Sequence, residues 1–227
     1  MKKILILLII LFFNTQMLTA ATFEPVPHDV KLPKKYTQEY IDSLVIEYEK
    51  ISKEQIIHVA LDMLKETIGD YSRKAIMGHN LTQRPIQIEF KDLSELNPSY
   101  SSYDAVGWKK KKRLYIYINP KHRNAPPGAL AALLAHEAIH QDEYNSLTEE
   151  TYAWTMEATA WCEILNKFPE SNNLESPLVT RENILKQQLE KGHYTNKYIK
   201  KTVYANDAYK GLPLTSPGFD SSTLVAF

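Results

Sequence analysis

Only one cysteine, Cys162, stands among the 227 residues. No disulfide can form within the chain, so its core, or a bound metal, must hold it together. Glycine is nearly as scarce, with 7 residues, which argues against a turn-rich all-β fold. Neither sign of charge dominates: 27 basic residues face 27 acidic ones, so the footprint of a nucleic-acid-binding chain is missing. No internal repeat or low-complexity stretch is evident. Long apolar runs are also missing, with one exception at the start. Ile4 to Phe13 is apolar and follows Lys2 and Lys3, the pattern of a signal peptide, and it is too short to span a bilayer comfortably. Thr19-Ala20-Ala21 supplies small residues for cleavage after Ala21, and an uncleaved N-terminal anchor is the alternative. No cysteine follows the run, which excludes a bacterial lipoprotein anchor. Losing Lys2 and Lys3 leaves 25 basic against 27 acidic residues, a net charge of about −2. The expectation is an exported protein, periplasmic or secreted, with no stable membrane insertion.

What the chain does have is 44 % hydrophobic and 11 % aromatic residues, enough for a single domain with a real core. Its densest stretch of chemistry is Leu133-Leu134-Ala135-His136-Glu137-Ala138-Ile139-His140, an H-E-x-x-H pattern in an Ala/Leu-rich run. Residues four apart on a helix share a face, so His136 and His140 can aim two imidazoles at one point. Glu137 is rotated about 100° away and flanks that point. This geometry suits a zinc ion held by two histidines, with a glutamate as general base for the water that the metal activates. An amphipathic helix with two incidentally spaced histidines is the plain alternative. Burying such groups without a partner is costly, and a metal supplies one.

The pentapeptide resembles that of the zincin metallopeptidases. The metzincin branch is rejected, because Glu143 and Ser146 stand where its Gly and third His belong. In the gluzincin-like branch the third ligand is a Glu on the next helix in an E-x-x-A context. Glu150-Thr151-Tyr152-Ala153 and Glu157-Ala158-Thr159-Ala160 both fit. The resemblance covers about Ile116 to Trp161 and implies a Zn²⁺ cofactor bound by His136, His140 and a downstream Glu, with Glu137 catalytic. Rise along the two helices does not decide between the candidates; Glu150 is favoured and Glu157 is the alternative. Glu149 reads as a capping residue and Glu143 as a supporting group on the His136/His140 face. The family's supporting Asp, four residues after the ligand Glu, is missing: Trp154 and Trp161 stand there. The family also implies a downstream His or Tyr on the oxyanion, for which His193, Tyr194 and Tyr152 are candidates.

The remaining sequence reads as follows. The Pro-rich segment 22–35 is a linker or surface-hugging arm. Helical spacing starts at Thr37, and a second helix follows Ser52, an expected N-cap with Gln55 three residues on. His58 on that helix is an ordinary helix residue, and Cys162 a small buried one. Ile86, Ile88 and Phe90 alternate with polar residues as in a half-buried strand. Tyr100 to Trp108 reads as loop plus a short strand, Lys109 to Arg113 as a solvated hairpin turn, and Leu114 to Ile118 as a strand. Being the last strand before the zinc helix, Leu114 to Ile118 is expected to be the open edge lining a substrate cleft, with Tyr115 and Tyr117 toward it; a central strand paired on both sides is the alternative.

The zinc helix is expected from about Pro127 to Tyr144. A short turn with the Ser146/Glu149 capping box, or Thr148 as a competing cap, then leads to an antiparallel partner helix ending near Lys167. Helices from Ser176 to Gly192 and from Asn196 to Tyr209 follow, and 211–227 is irregular. The fold class is α+β: a mostly helical zincin-like domain (36–210) with a small antiparallel sheet and an αα-hairpin carrying the metal site. The expected function is an exported zinc metallopeptidase whose partner is a peptide or protein substrate. A closed structural zinc site, or an amide hydrolase of the cell wall using the same residues, are the alternatives.

Overall fold

The fold of the chain is taken from a computed structural model, which describes residues 22–217 and 219. Segment 1–21, expected from its pattern to be a signal peptide, lies outside the described residues. Among them, no helix is long and apolar enough to cross a membrane.

The architecture is α+β. Seven helices are described: α1 Gln38–Tyr48, α2 Gln55–Met63, α3 Asp70–Ile76, α4 Pro127–Glu137, α5 Leu147–Lys167, α6 Pro177–Lys191 and α7 Lys197–Ala205. Three strands lie between α3 and α4: β1 Gln87–Phe90, β2 Ala105–Lys110 and β3 Arg113–Ile118.

The core is built around α4. From Pro127 to Ala135 this helix carries no charged side chain, and every residue from Pro127 to Glu137 is buried. A helix apolar on all sides must be surrounded, and α4 packs against α2, α3, α5, α6 and β2. Pro127 opens it at the first position, where a missing N–H costs nothing. At Gly128 a Cβ would come within 2.6 Å of Ser171 Oγ and 2.9 Å of Ile164 Cγ2, so only glycine lets α4 approach the end of α5 this closely. Truncating a side chain such as Leu134, fully buried here, costs about 2–5 kcal/mol in packed cores.

The sheet departs from the expected antiparallel one. Its order is β1-β3-β2, with β1 parallel to β3 and β2 antiparallel to β3. The strand 113–118 is therefore central and hydrogen-bonded on both sides, so it offers no edge to a substrate. Tyr115 and Tyr117 stack on each other, centroids 5.6 Å apart, along the strand. The order 105–118 forces a hairpin through Lys111, whose φ is 59°, and β1 takes the remaining side of β3. Of the two outer strands, β1 already donates Ile88 N–H to Ile51 O at 2.8 Å, and β2 is the edge left open among the described residues.

Other boundaries move too. Ser52 does not cap α2; its hydroxyl donates to the Ile88 carbonyl at 2.9 Å and ties the helix to β1. The helix of the H-E-x-x-H motif stops at Glu137 rather than near Tyr144. Its last turn tightens, with Ile139 N–H donating to His136 O at 2.9 Å and His140 N–H to Glu137 O at 3.3 Å. A segment from Ala138 to Ser146, longer than the expected short turn, then leads to α5. The last helix ends at Ala205, and Asn206 starts a single 3₁₀ turn over Asp207–Tyr209 by accepting from Ala208 N–H.

The flanking segments are docked. Glu24 bridges to Glu54, and Phe23 packs edge-on against His58. Burial lowers the pKa of His58, whose Nε2 lies 2.9 Å from Ser52 O. At the other end, Pro213 O and Leu214 O accept from Leu147 N–H and Thr148 N–H. Residues 213–214 thus satisfy helix-start donors of α5 that would otherwise lack partners.

Candidate metal centre

The end of α4 and the start of α5 bring three donors to one place: His136, His140 and Glu150. His136 Nε2 and His140 Nε2 are 3.4 Å apart. Glu150 Oε2 lies 3.7 Å from His136 Nε2, and Glu150 Oε1 lies 3.7 Å from His140 Nε2. Metal–donor bonds of about 2.0–2.1 Å in a tetrahedron put donor atoms about 3.3 Å apart, so this triangle is close to the size zinc needs.

The hydrogen-bonding state of the site also fits a cation. His136 Nδ1 lies 3.0 Å from Glu157 Oε2, and His140 Nδ1 lies 3.0 Å from Glu149 Oε1. With both Nδ1 atoms donating to carboxylates, both Nε2 atoms face the centre, where loss of the His140 proton frees the second lone pair. Glu150 Oε2 is buried there with no hydrogen-bond partner. Glu150 Oε1 accepts from Asn145 Nδ2 at 2.5 Å, and the electron-rich atoms that converge here are unfavourable unless a proton, as on His140, or a cation joins them. The pKa values carry the same message. Burial alone would lower the His140 imidazole, but its bond to Glu149 and the charges of Glu150 and Glu137 raise it to about 9. Burial alone would raise Glu150, and the charges of His140 and His136 lower it.

Glu157, the alternative third ligand, is placed differently. It is fully buried on the far side of His136 and paired with Arg181. Burial would raise its pKa, but the Arg181 guanidinium and His136 hold it below the usual carboxylate range. Glu182 beside it goes the other way, pushed well up by burial and by the charge of Glu157.

Glu137 points into a groove of about 520 Å³, whose walls include β2 residues 105–109, His136, His140, Glu150 and Tyr209. Its carboxylate makes no hydrogen bond with another described residue. Burial raises its pKa; His136 and His140 oppose this, and Glu150 and Glu157 add to it. A carboxylate pushed upward and left without a partner suits proton transfer near neutral pH. Gly107 brings β2 against this wall: a Cβ there would sit 3.4 Å from His140 Cβ and 3.6 Å from Glu137 O.

Several sequence-based expectations need correcting. Ser146 caps α5 as expected, accepting from Glu149 N–H at 3.2 Å, but Glu149 does not return the bond. Its carboxylate serves His140 and accepts from Ser216 Oγ at 2.8 Å, while Ser146 N–H goes to Asn145 Oδ1. Glu143 is exposed and pairs with Lys109, outside any helix. Tyr194 and His193 form a left-handed turn after α6, with φ of 61° and 53°, and neither lines the groove. Tyr152 lies on another face of α5, packed against Phe219 beside a separate cavity of about 150 Å³.

Tyr100, Tyr103, Tyr144 and Tyr209 do line the groove, and the Tyr209 hydroxyl accepts from Trp154 Nε1 at 2.9 Å. Trp154 also packs beside His136, centroids 6.2 Å apart, whereas Trp161 is a core residue bonded to Asn183. Cys162 is half-buried against the α6–α7 cluster, and burial pushes its thiol up to about 11. Sequence reasoning missed Glu149, Tyr209 and Arg181. The one available signal was that Glu157 lies a heptad after Glu150 and needs a counter-charge if buried. No protein-family model, no curated protein and no solved structure matches this chain.

Proposed function

We propose that this chain is a zinc-dependent metallohydrolase acting on peptide bonds, with His136, His140 and Glu150 as ligands. The observation that carries the reading is the triangle of buried donors, completed by an unpartnered Glu150 oxygen, opening onto the groove that also holds Glu137. Three protein donors leave a coordination place open, as catalytic sites do and closed structural sites do not. Zinc bound there would supply a Lewis acid that acidifies water and polarises the scissile carbonyl. Glu137 takes the proton of the attacking water and delivers it to the leaving amine. Tyr209, which lines the groove, would donate its hydroxyl hydrogen to the oxyanion. The open edge of β2 can pair with an extended peptide through main-chain hydrogen bonds. With the leader-like N-terminus, the site of action is outside the cytoplasm. An amide of the cell wall would use the same residues, and a substrate screen with and without chelator separates the two.

The test is Glu137→Gln. It should keep zinc and lose about 10²-fold or more in hydrolysis, the scale of a lost general base. A Glu137→Gln protein that stays active, or that no longer holds zinc, overturns the assignment.

A further inference from the structure

The buried charges behind His136 form a chain that crosses three helices. From α6, Arg181 Nη1 and Nη2 grip both oxygens of Glu157 on α5, the second at 3.0 Å. The same Oε2 that accepts from Nη2 faces His136 Nδ1, also at 3.0 Å. The guanidinium is itself held on its remaining sides. Nη1 donates to Glu182 Oε1 at 3.0 Å, Nε lies 3.3 Å from Asp104 Oδ2 at the entrance to β2, and the Trp154 ring lies 5.4 Å away. His140 lacks such an anchor, since its partner Glu149 is held by the Ser216 hydroxyl.

We propose that Arg181 is a positioning residue for the metal centre: its two-pronged grip on Glu157 fixes the carboxylate that sets the ring orientation and tautomer of His136. A planar fork on a carboxylate leaves one arrangement for both oxygens, whereas a lysine ammonium is a point charge that leaves the carboxylate able to turn. Groups that orient a metal-binding histidine typically matter by about 10–100-fold in metal affinity. A residue that only balances the charge of Glu157 would be replaced without loss by lysine, so the two roles separate experimentally. The inference rests on the reading of His136 as a ligand.

The experiment is competition for zinc against a chromophoric chelator, on full-length wild type, Arg181→Met, Arg181→Lys and Asp62→Asn. Asp62, on α2, anchors Lys35, Tyr36, Tyr40 and Lys65, so its variant reports general destabilisation. Arg181→Met should weaken zinc binding by about 10–100-fold and Arg181→Lys by an intermediate factor, while Asp62→Asn stays within about twofold of wild type. Zinc affinity within about twofold of wild type in Arg181→Met overturns the proposal, as does an equal loss in Asp62→Asn. Whether or not Arg181→Met folds, wild-type affinity in Arg181→Lys overturns the proposal, because charge balance alone then suffices, and a weakened one supports it. Wild type that takes up no zinc overturns the functional reading and this inference together, which distinguishes that failure from a failure of Arg181 alone.

Discussion

Zinc titration of the metal-stripped protein gives a test whose size follows from the geometry. The three donors lie in a folded arrangement contributed by α4, the segment after it and α5. An unfolded chain does not hold them 3.4–3.7 Å apart, so zinc binds the native state in preference. Above its dissociation constant, each tenfold rise in free zinc then adds about 1.4 kcal/mol to stability, whatever that constant is. For a chain of this length about 1 kcal/mol moves the melting temperature by roughly 2–4 °C. The expected slope is therefore about 3–6 °C per decade of free zinc. Differential scanning fluorimetry in zinc buffers reads it directly. Glu137→Gln should keep the slope, because Glu137 stands outside the donor triangle, and His140→Ala should flatten it. A wild-type melting temperature that ignores zinc, or a His140→Ala protein with the full slope, would refute the reasoning.

Three further outcomes are expected. With its pKa raised from 6.5 to about 9, His140 stays protonated at neutral pH in metal-free protein, so zinc must displace that proton. Apparent zinc affinity should climb about tenfold per pH unit from neutrality to about pH 9 and then level off. The stability of the metal-free protein runs the opposite way. The contribution of His140 is complete below its unfolded value near 6.5 and is lost as pH rises through about 9, and isothermal titration and chemical denaturation at several pH values read the two trends. Gly128→Ala should destabilise the fold by about 1–3 kcal/mol, as overpacking does, because the added methyl meets Ser171 and Ile164; an unchanged denaturation midpoint would contradict the packing of α4.

How much of this was readable beforehand depends on whether the signal was local. Spacing placed His136 and His140 on one side of a helix end, and the structure brings Glu150 to them, although the helix stops three residues before His140. The early stop spoils nothing, because the tightened last turn keeps the second imidazole over the first. The α+β class and the strands at 87–90 and 113–118 were readable from alternation and β-branched composition. Strand order was not. Nothing local in Leu114 to Ile118 says that β1 pairs with it in parallel, and that pairing is what moves the open edge to β2. Glu149 was misread for a related reason: Ser146-x-x-Glu149 satisfies the local capping pattern, and only the arrival of Ser216 and His140 from elsewhere claims its carboxylate.

The same distinction explains the absent Asp of the zincin pattern. Its place holds Trp154, whose indole N–H serves Tyr209 and whose ring flanks His136. The orienting carboxylates come instead from Glu157 and Glu149, one on each histidine. Glu157 is a full heptad beyond Glu150 and so shares its side of α5, about 10 Å further along by helical rise. That offset puts Glu150 at the opening and Glu157 behind His136, where burial demands a counter-charge. Arg181 supplies it from another helix, α6. The two glutamates that sequence could not separate are therefore divided by depth: the shallower faces both Nε2 atoms, and the deeper, neutralised by Arg181, faces Nδ1 of His136.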